Sequence, residues 1–127
     1  MFYLIIPILI GVSAGTFTGL IPGIHINLVA VFILSLTFIS KFQPITLIVF
    51  ITAMAITHTF IDFIPSIFIG APDEDTALST LPGHKLLMTG QGHQAIKLTL
   101  IGSSIAIASL IFIIPIFIIF VSRNISR

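Results

Sequence analysis

The sequence predicts an all-α, polytopic integral membrane protein of about four transmembrane segments, with Pro/Gly-broken or re-entrant elements. Three observations carry this. Hydrophobic residues make up 57% of the 127 residues and charged residues 7%, against roughly 25% charged in an ordinary soluble domain. The apolar residues fall into runs approaching the roughly 20 residues that a spanning helix needs. Pro, Gly and the few charges collect between the runs, where helices end.

Composition also excludes several classes. The chain has no Cys, so a disulfide framework and a thiolate metal site are ruled out. A net charge of +1 gives no argument for nucleic acid. With no Trp and Tyr3 as the single Tyr, interfacial positions cannot be read from an aromatic belt. The start, Met1-Phe2-Tyr3, has neither the basic stretch nor the cleavage site of a signal peptide. It reads as a mature membrane segment.

Taken in order, the first run covers Phe2–Leu20 and carries Gly11, Gly15 and Gly19, with Gly23 continuing the series. Small residues four apart let a neighbouring backbone approach. The stripe reads as helix packing, or as backbone exposed beside a substrate path, and the two are compatible. Pro22-Gly23 ends the run, since Pro removes a donor and Gly tolerates unusual backbone angles. A second run follows at residues 24–39. Both runs are short for a full span, so residues 1–40 are either two spans with a tight loop or a broken, embedded hairpin.

Residues 40–44, Ser-Lys-Phe-Gln-Pro, form a turn. The third span is expected at residues 45–62 and ends on Thr57-His58-Thr59-Phe60-Ile61-Asp62, with Pro65 close behind. Residues 63–94 read as a polar, broken segment. Here Ala77 to Leu81 and Lys85 to Met88 are predicted as short helices interrupted by Pro82-Gly83. A last span is expected at residues 95–121, kinked at Pro115, before a basic tail. The whole chain is read as a single membrane domain.

Four groups of residues could carry chemistry. His58 and Asp62 are four apart and share a face if the helix persists. They read as a proton relay or polar lining, or as an ordinary helix end. Asp73, Glu74 and Asp75, between Pro72 and Thr76, suit a hard cation such as Na⁺. They equally suit the first turn of a helix, which favours acids. His25 and Asn27 follow the Pro22-Gly23 break, where freed N–H groups can meet an anion. Gly19, Pro65 and Gly70 flank these breaks and complete the proposed substrate and ion path. No metal-protease, phosphate-loop or nucleophile-elbow motif is present, so the chain is read as not an enzyme.

The basic residues suggest an orientation. With four spans, Lys41, Arg123 and Arg127 fall on the side of the N-terminus, and the acids fall opposite with Lys85 and Lys97. The positive side is expected to be cytoplasmic, which places both termini there in a multi-pass protein of the cell membrane.

One combination of motifs resembles a known family. Gly15-x-x-x-Gly19-Leu-Ile-Pro22-Gly23 is followed by Gly70-Ala-Pro72, Thr76 and Leu-Pro82-Gly83-His84. Then come Thr-Gly90-Gln-Gly92-His-Gln-Ala95 and Ile101-Gly102-Ser103-Ser104. This pattern is similar to the TctA large permease subunit of tripartite tricarboxylate transporters, in its archaeal-type branch. The resemblance implies a permease moving a small carboxylate-type solute with Na⁺ or H⁺ and no other cofactor. It also implies that Pro22-Gly23 and Gly70 to Pro72 line the path.

Family members are longer and contain two related halves, and this chain resembles the N-terminal part. The implied partners are the other half of the permease or a second copy, a small membrane subunit and membrane lipid. The alternative is a non-transporting membrane scaffold or partner subunit, whose Gly stripe would serve assembly alone.

Overall fold

The structure is a computed structural model of the chain, and it describes residues 2–37, 43–70 and 77–125. Every element among the described residues is helical. A short 3-10 turn, Phe2–Leu4, leads into α1, Ile5–Leu20. The buried residues of α1 are Pro7, Gly11, Gly15 and Gly19. They stand four apart, so the helix buries one narrow row and leaves its other faces apolar and outward, as a lipid-facing helix should.

That row packs on α3, Pro44–Ile61. Pro44 opens α3 at a position where its missing N–H has no helical partner to lose. The glycines are needed because the two main chains touch. A Cβ at Gly11 would stand 2.6 Å from the carbonyl oxygen of Phe50, and one at Gly19 would stand 2.9 Å from that of His58. At Gly15 it would overlap the carbonyl oxygen of Met54. With no hydrophobic effect between helices in lipid, this close van der Waals fit is what holds the pair.

The register also gives the direction. Gly11 meets Phe50 to Met54, Gly15 meets Met54 to His58, and Gly19 meets His58 to Ile61. Both numbers rise together, so α1 and α3 run parallel. Residues 21–43 must therefore return the chain from the end of α1 to the start of α3, a climb of about 28 Å at the helical rise.

Part of that return is α2, Ile26–Thr37. At 12 residues it is about 18 Å long, short of the roughly 30 Å of a bilayer core. Among the described residues, three helices are long and apolar enough to cross a membrane, Phe2–Leu20, Pro44–Ile69 and Gly92–Ile125, with α2 as a shorter apolar helix.

The third span loses one helical hydrogen bond near its end. Pro65 cannot donate to the carbonyl of Ile61, and its ring crowds that group. The backbone nonetheless stays α-helical at Asp62, φ −63° and ψ −21°, and α4, Phe63–Ile69, continues directly from it. Gly70 closes α4 in the left-handed region, φ +69°, with its N–H on the carbonyl of Ser66 at 2.9 Å.

Two expectations are corrected further along. Pro82-Gly83 does not interrupt the chain: α5 runs unbroken from Ala77 to Met88. External packing holds it through the proline. Gly83 receives Ile67, whose Cγ1 would lie 2.9 Å from a Cβ there, and His84 binds α4. The final helix, α6, is longer than predicted, at Gly92–Ile125, with Pro115 inside it. Its early start follows from the turn before it. Gln91 N–H bonds the carbonyl of Leu86 at 2.8 Å, and Gly90 N–H bonds that of Leu87 at 2.9 Å. With Gly90 at φ +80°, this is the paired-bond glycine stop of an α-helix, and α6 begins at once. Gly92 and Ala95 bury the start of α6, while its apolar second half is exposed. The acid cluster Asp73, Glu74 and Asp75, with Pro72, Thr76 and the Lys41 turn, lies outside the described residues.

Candidate functional site at the α1–α3 seam

The buried residues of α3 are Met54 and His58. His58 is only 4% exposed, in a helix that otherwise offers almost nothing ionisable. Its Nδ1 lies 3.0 Å from the hydroxyl oxygen of Thr18 on α1. That hydroxyl in turn donates to the carbonyl of Gly15 at 3.2 Å. A hydroxyl has one proton to give. Both contacts are satisfied together when Nδ1–H donates to Thr18 and Thr18 donates to Gly15.

Asp62 lies one turn beyond His58, with its backbone N–H on the His58 carbonyl at 2.9 Å. Its Oδ1 is shut off from solvent. Ionisable side chains inside a spanning segment are costly and generally serve a site facing a partner or a cavity. Asp62 also joins α3 to α4, next to the Ile61 carbonyl to which Pro65 cannot donate.

A turn of the main chain stands at the same end of the pair. Ile21-Pro22-Gly23-Ile24 forms a tight turn closed by Ile24 N–H on the Ile21 carbonyl at 3.4 Å. Pro in the second position and Gly at φ +84° in the third are the residues this turn requires. Gly19 rests on His58 and Ile61, so this turn lies at the end of the pair that carries Asp62. Gly19, Pro22, Gly23, His58, Asp62 and Pro65 therefore share one end of the α1–α3 pair. His25 and Asn27 follow the turn at the start of α2, and both are exposed. The His25 carbonyl accepts the N–H of Val29 at 3.2 Å.

Gly70 belongs to a separate cluster. The imidazole of His84 lies against it, and a Cβ on Gly70 would come within 2.9 Å of Cε1. His84 Nδ1 bonds the carbonyl of Ile67 at 2.8 Å. Ile67 is fully buried and Ser66 is 5% exposed. This cluster holds α4 against α5.

Sequence reasoning missed Thr18, the residue that ties His58 to α1. One signal was available: Thr18 stands three residues after Gly15, beside the glycine row. It also gave His84 no role, because a side chain closing another helix's end leaves no local pattern. Among the described residues, no three His, Asp or Glu side chains gather closely enough to hold a metal ion.

Comparison with known proteins supplies the wider context. An uncharacterized protein of Methanocaldococcus jannaschii is 43% identical over 106 residues, covering 84% of this chain and 26% of the relative. The chain thus spans about a quarter of that protein's length. No solved structure matches. The family described as the tripartite tricarboxylate transporter TctA family matches residues 5–126, nearly the whole chain. The chain belongs to that family.

Proposed function

We propose that this chain is the N-terminal part of a secondary-transporter permease that moves a small carboxylate-type solute together with Na⁺ or H⁺. The observation that carries the reading is the seam itself. A buried His and a partly buried Asp stand one turn apart, where Pro65 deprives one spanning helix of a hydrogen bond and its neighbour ends at Pro22-Gly23. Main-chain groups freed at helix ends and at prolines are what transporters offer a solute inside the bilayer. Membership of the TctA family supports the solute class.

On this reading the exposed start of α2, with His25 and Asn27, faces the solute's carboxylate. Pro72, Asp73, Glu74, Asp75 and Thr76 extend the path beyond Gly70. The remainder of the permease and a small membrane subunit complete it. The apolar second half of α6 lies against lipid or those partners, and both termini face the cytoplasm of a multi-pass protein in the cell membrane.

The test is uptake of labelled di- and tricarboxylates into proteoliposomes holding the complete permease that contains this chain. Ion-dependent uptake is expected, and it should fall sharply in Asp62→Asn. Uptake unchanged by Asp62→Asn together with Asp73→Asn would remove these acids from the mechanism.

A further inference from the structure

We infer that the C-terminal end of α6 carries a binding site for an anionic membrane phospholipid, with the phosphate on Arg123 and Asn124 and an acyl chain along Ile116, Ile119 and Phe120. The inference is independent of the transport reading and uses no residue of the α1–α3 seam.

These five residues line an open-sided groove of about 400 Å³, within the size range of small-molecule sites. Counted from Ile116, they stand three, four, seven and eight positions on, which puts them on one face of the helix. The face is graded. Its earlier turns are apolar, and its last turn offers a cation and an amide. A phospholipid has the same profile, tail first and headgroup last.

Depth agrees with that profile. No residue between Lys97 and Arg123 is charged. At the helical rise these two stand about 39 Å apart, close to the roughly 40–45 Å of a bilayer with its headgroups. With Lys97 in one headgroup layer, Arg123 falls in the other, at the level of the phosphates. Ile116, Ile119 and Phe120 then lie in the hydrocarbon, and all three are exposed.

Charge selects the headgroup. α6 contains no Asp or Glu, so no acid on this helix opposes an anion. The Arg guanidinium presents several N–H donors in a planar fork that matches phosphate oxygens, so it can hold a phosphate beside another partner. Asn124 Nδ2 donates to the carbonyl of Phe120 at 3.1 Å. That bond fixes the amide at the polar end of the groove and uses one of its two N–H groups. The helix end itself carries a negative partial charge of about half a unit, which the full charge of Arg123 outweighs. A zwitterionic lipid would fit the same groove, but its ammonium group would meet Arg123 with no acid on α6 to receive it.

The experiment has two arms. The complete permease that contains this chain is extracted from vesicles of equal parts phosphatidylglycerol and phosphatidylcholine with identical acyl chains, and retained lipid is read by native mass spectrometry. Phosphatidylglycerol should be retained preferentially. Arg123→Gln should lower that preference about fivefold, the worth of one basic residue at an anionic surface. Lys97→Gln, at the other end of α6, should leave it unchanged. Excess inorganic phosphate should not displace the lipid, since it makes none of the apolar contacts. The inference is overturned by a parent with no preference, by an equal loss in Lys97→Gln, or by displacement with phosphate, which would mark a site for a free anion.

The second arm places benzoylphenylalanine at residue 119 of the same permease and irradiates it in the vesicles. A cross-link to phospholipid supports the site. A cross-link to polypeptide assigns the face to a protein partner and overturns the inference, whatever the outcome of the uptake assay.

Discussion

The imidazole of His84, on α5, bonds the carbonyl oxygen of Ile67, on α4, through Nδ1 at 2.8 Å. The last carbonyls of a helix have no partner within it, and α4 is only seven residues long. A side chain from the next helix supplies one partner. The same ring covers Gly70, so the end of α4, the left-handed glycine and α5 form a single joint.

Removing the ring tests that joint. His84→Ala leaves the Ile67 carbonyl unsatisfied beside a fully buried side chain, at a cost of about 1–3 kcal/mol. Gly70→Ala meets two obstacles, a left-handed backbone worth about 1–2 kcal/mol and the His84 ring. Because both changes act on one contact, their effects should fall short of additive in a double-mutant cycle read by chemical unfolding in detergent. Fully additive effects would separate the two residues.

Gly23 provides the comparison. Its φ of +84° is as left-handed as that of Gly70, yet nothing lies within 4 Å of a Cβ placed there. Gly23→Ala should therefore cost the backbone term alone, about 1–2 kcal/mol. Gly70→Ala should be the more damaging of the two in the same unfolding assay, and the reverse order would contradict the described packing at Gly70.

The parallel arrangement of α1 and α3 makes a topological prediction. The chain has no Cys, so single cysteines can be introduced on a clean background. Phe2→Cys and Gln43→Cys should react with a membrane-impermeant thiol reagent from one side of the bilayer, and Ile21→Cys from the other. Labelling of residues 21 and 43 from the same side would mean that residues 21–43 do not return across the layer.

Much of this architecture was legible because lipid simplifies the rules. Apolar length marks spans, and Gly11, Gly15 and Gly19 marked the packing face four residues at a time. What the sequence did not reveal was the partner of that face and its direction, since a glycine row carries no information about which helix it meets. Pro82-Gly83 misled for the opposite reason. Local propensity favours a break there, but Ile67 seated on Gly83 and His84 bonded to Ile67 hold α5 through it, and tertiary contact outweighs propensity. At the site, His58 and Asp62 were readable as a four-residue pair. Thr18 was not, because the bond that gives it a role spans 40 positions of sequence.

Pro65 offers the sharpest separation of stability from function. Its missing N–H leaves the Ile61 carbonyl without its helical donor, at the end of the α1–α3 pair that carries the Pro22-Gly23 turn. Pro65→Ala restores a donor for the Ile61 carbonyl and removes the crowding. An interior helix position favours Ala over Pro by about 3 kcal/mol. The variant should therefore fold at least as stably as the parent, with the missing hydrogen bond restored. If the missing bond opens the Asp62 turn to solute or proton, the same variant should lose transport while gaining stability. Thermal unfolding in detergent and uptake in proteoliposomes measure the two separately. A Pro65→Ala protein that is stable and transports as the parent does would reduce the missing bond to a feature of packing. A stable protein that has lost uptake would place it in the mechanism, because restoring the bond changes the backbone beside Asp62 without removing any ionisable group.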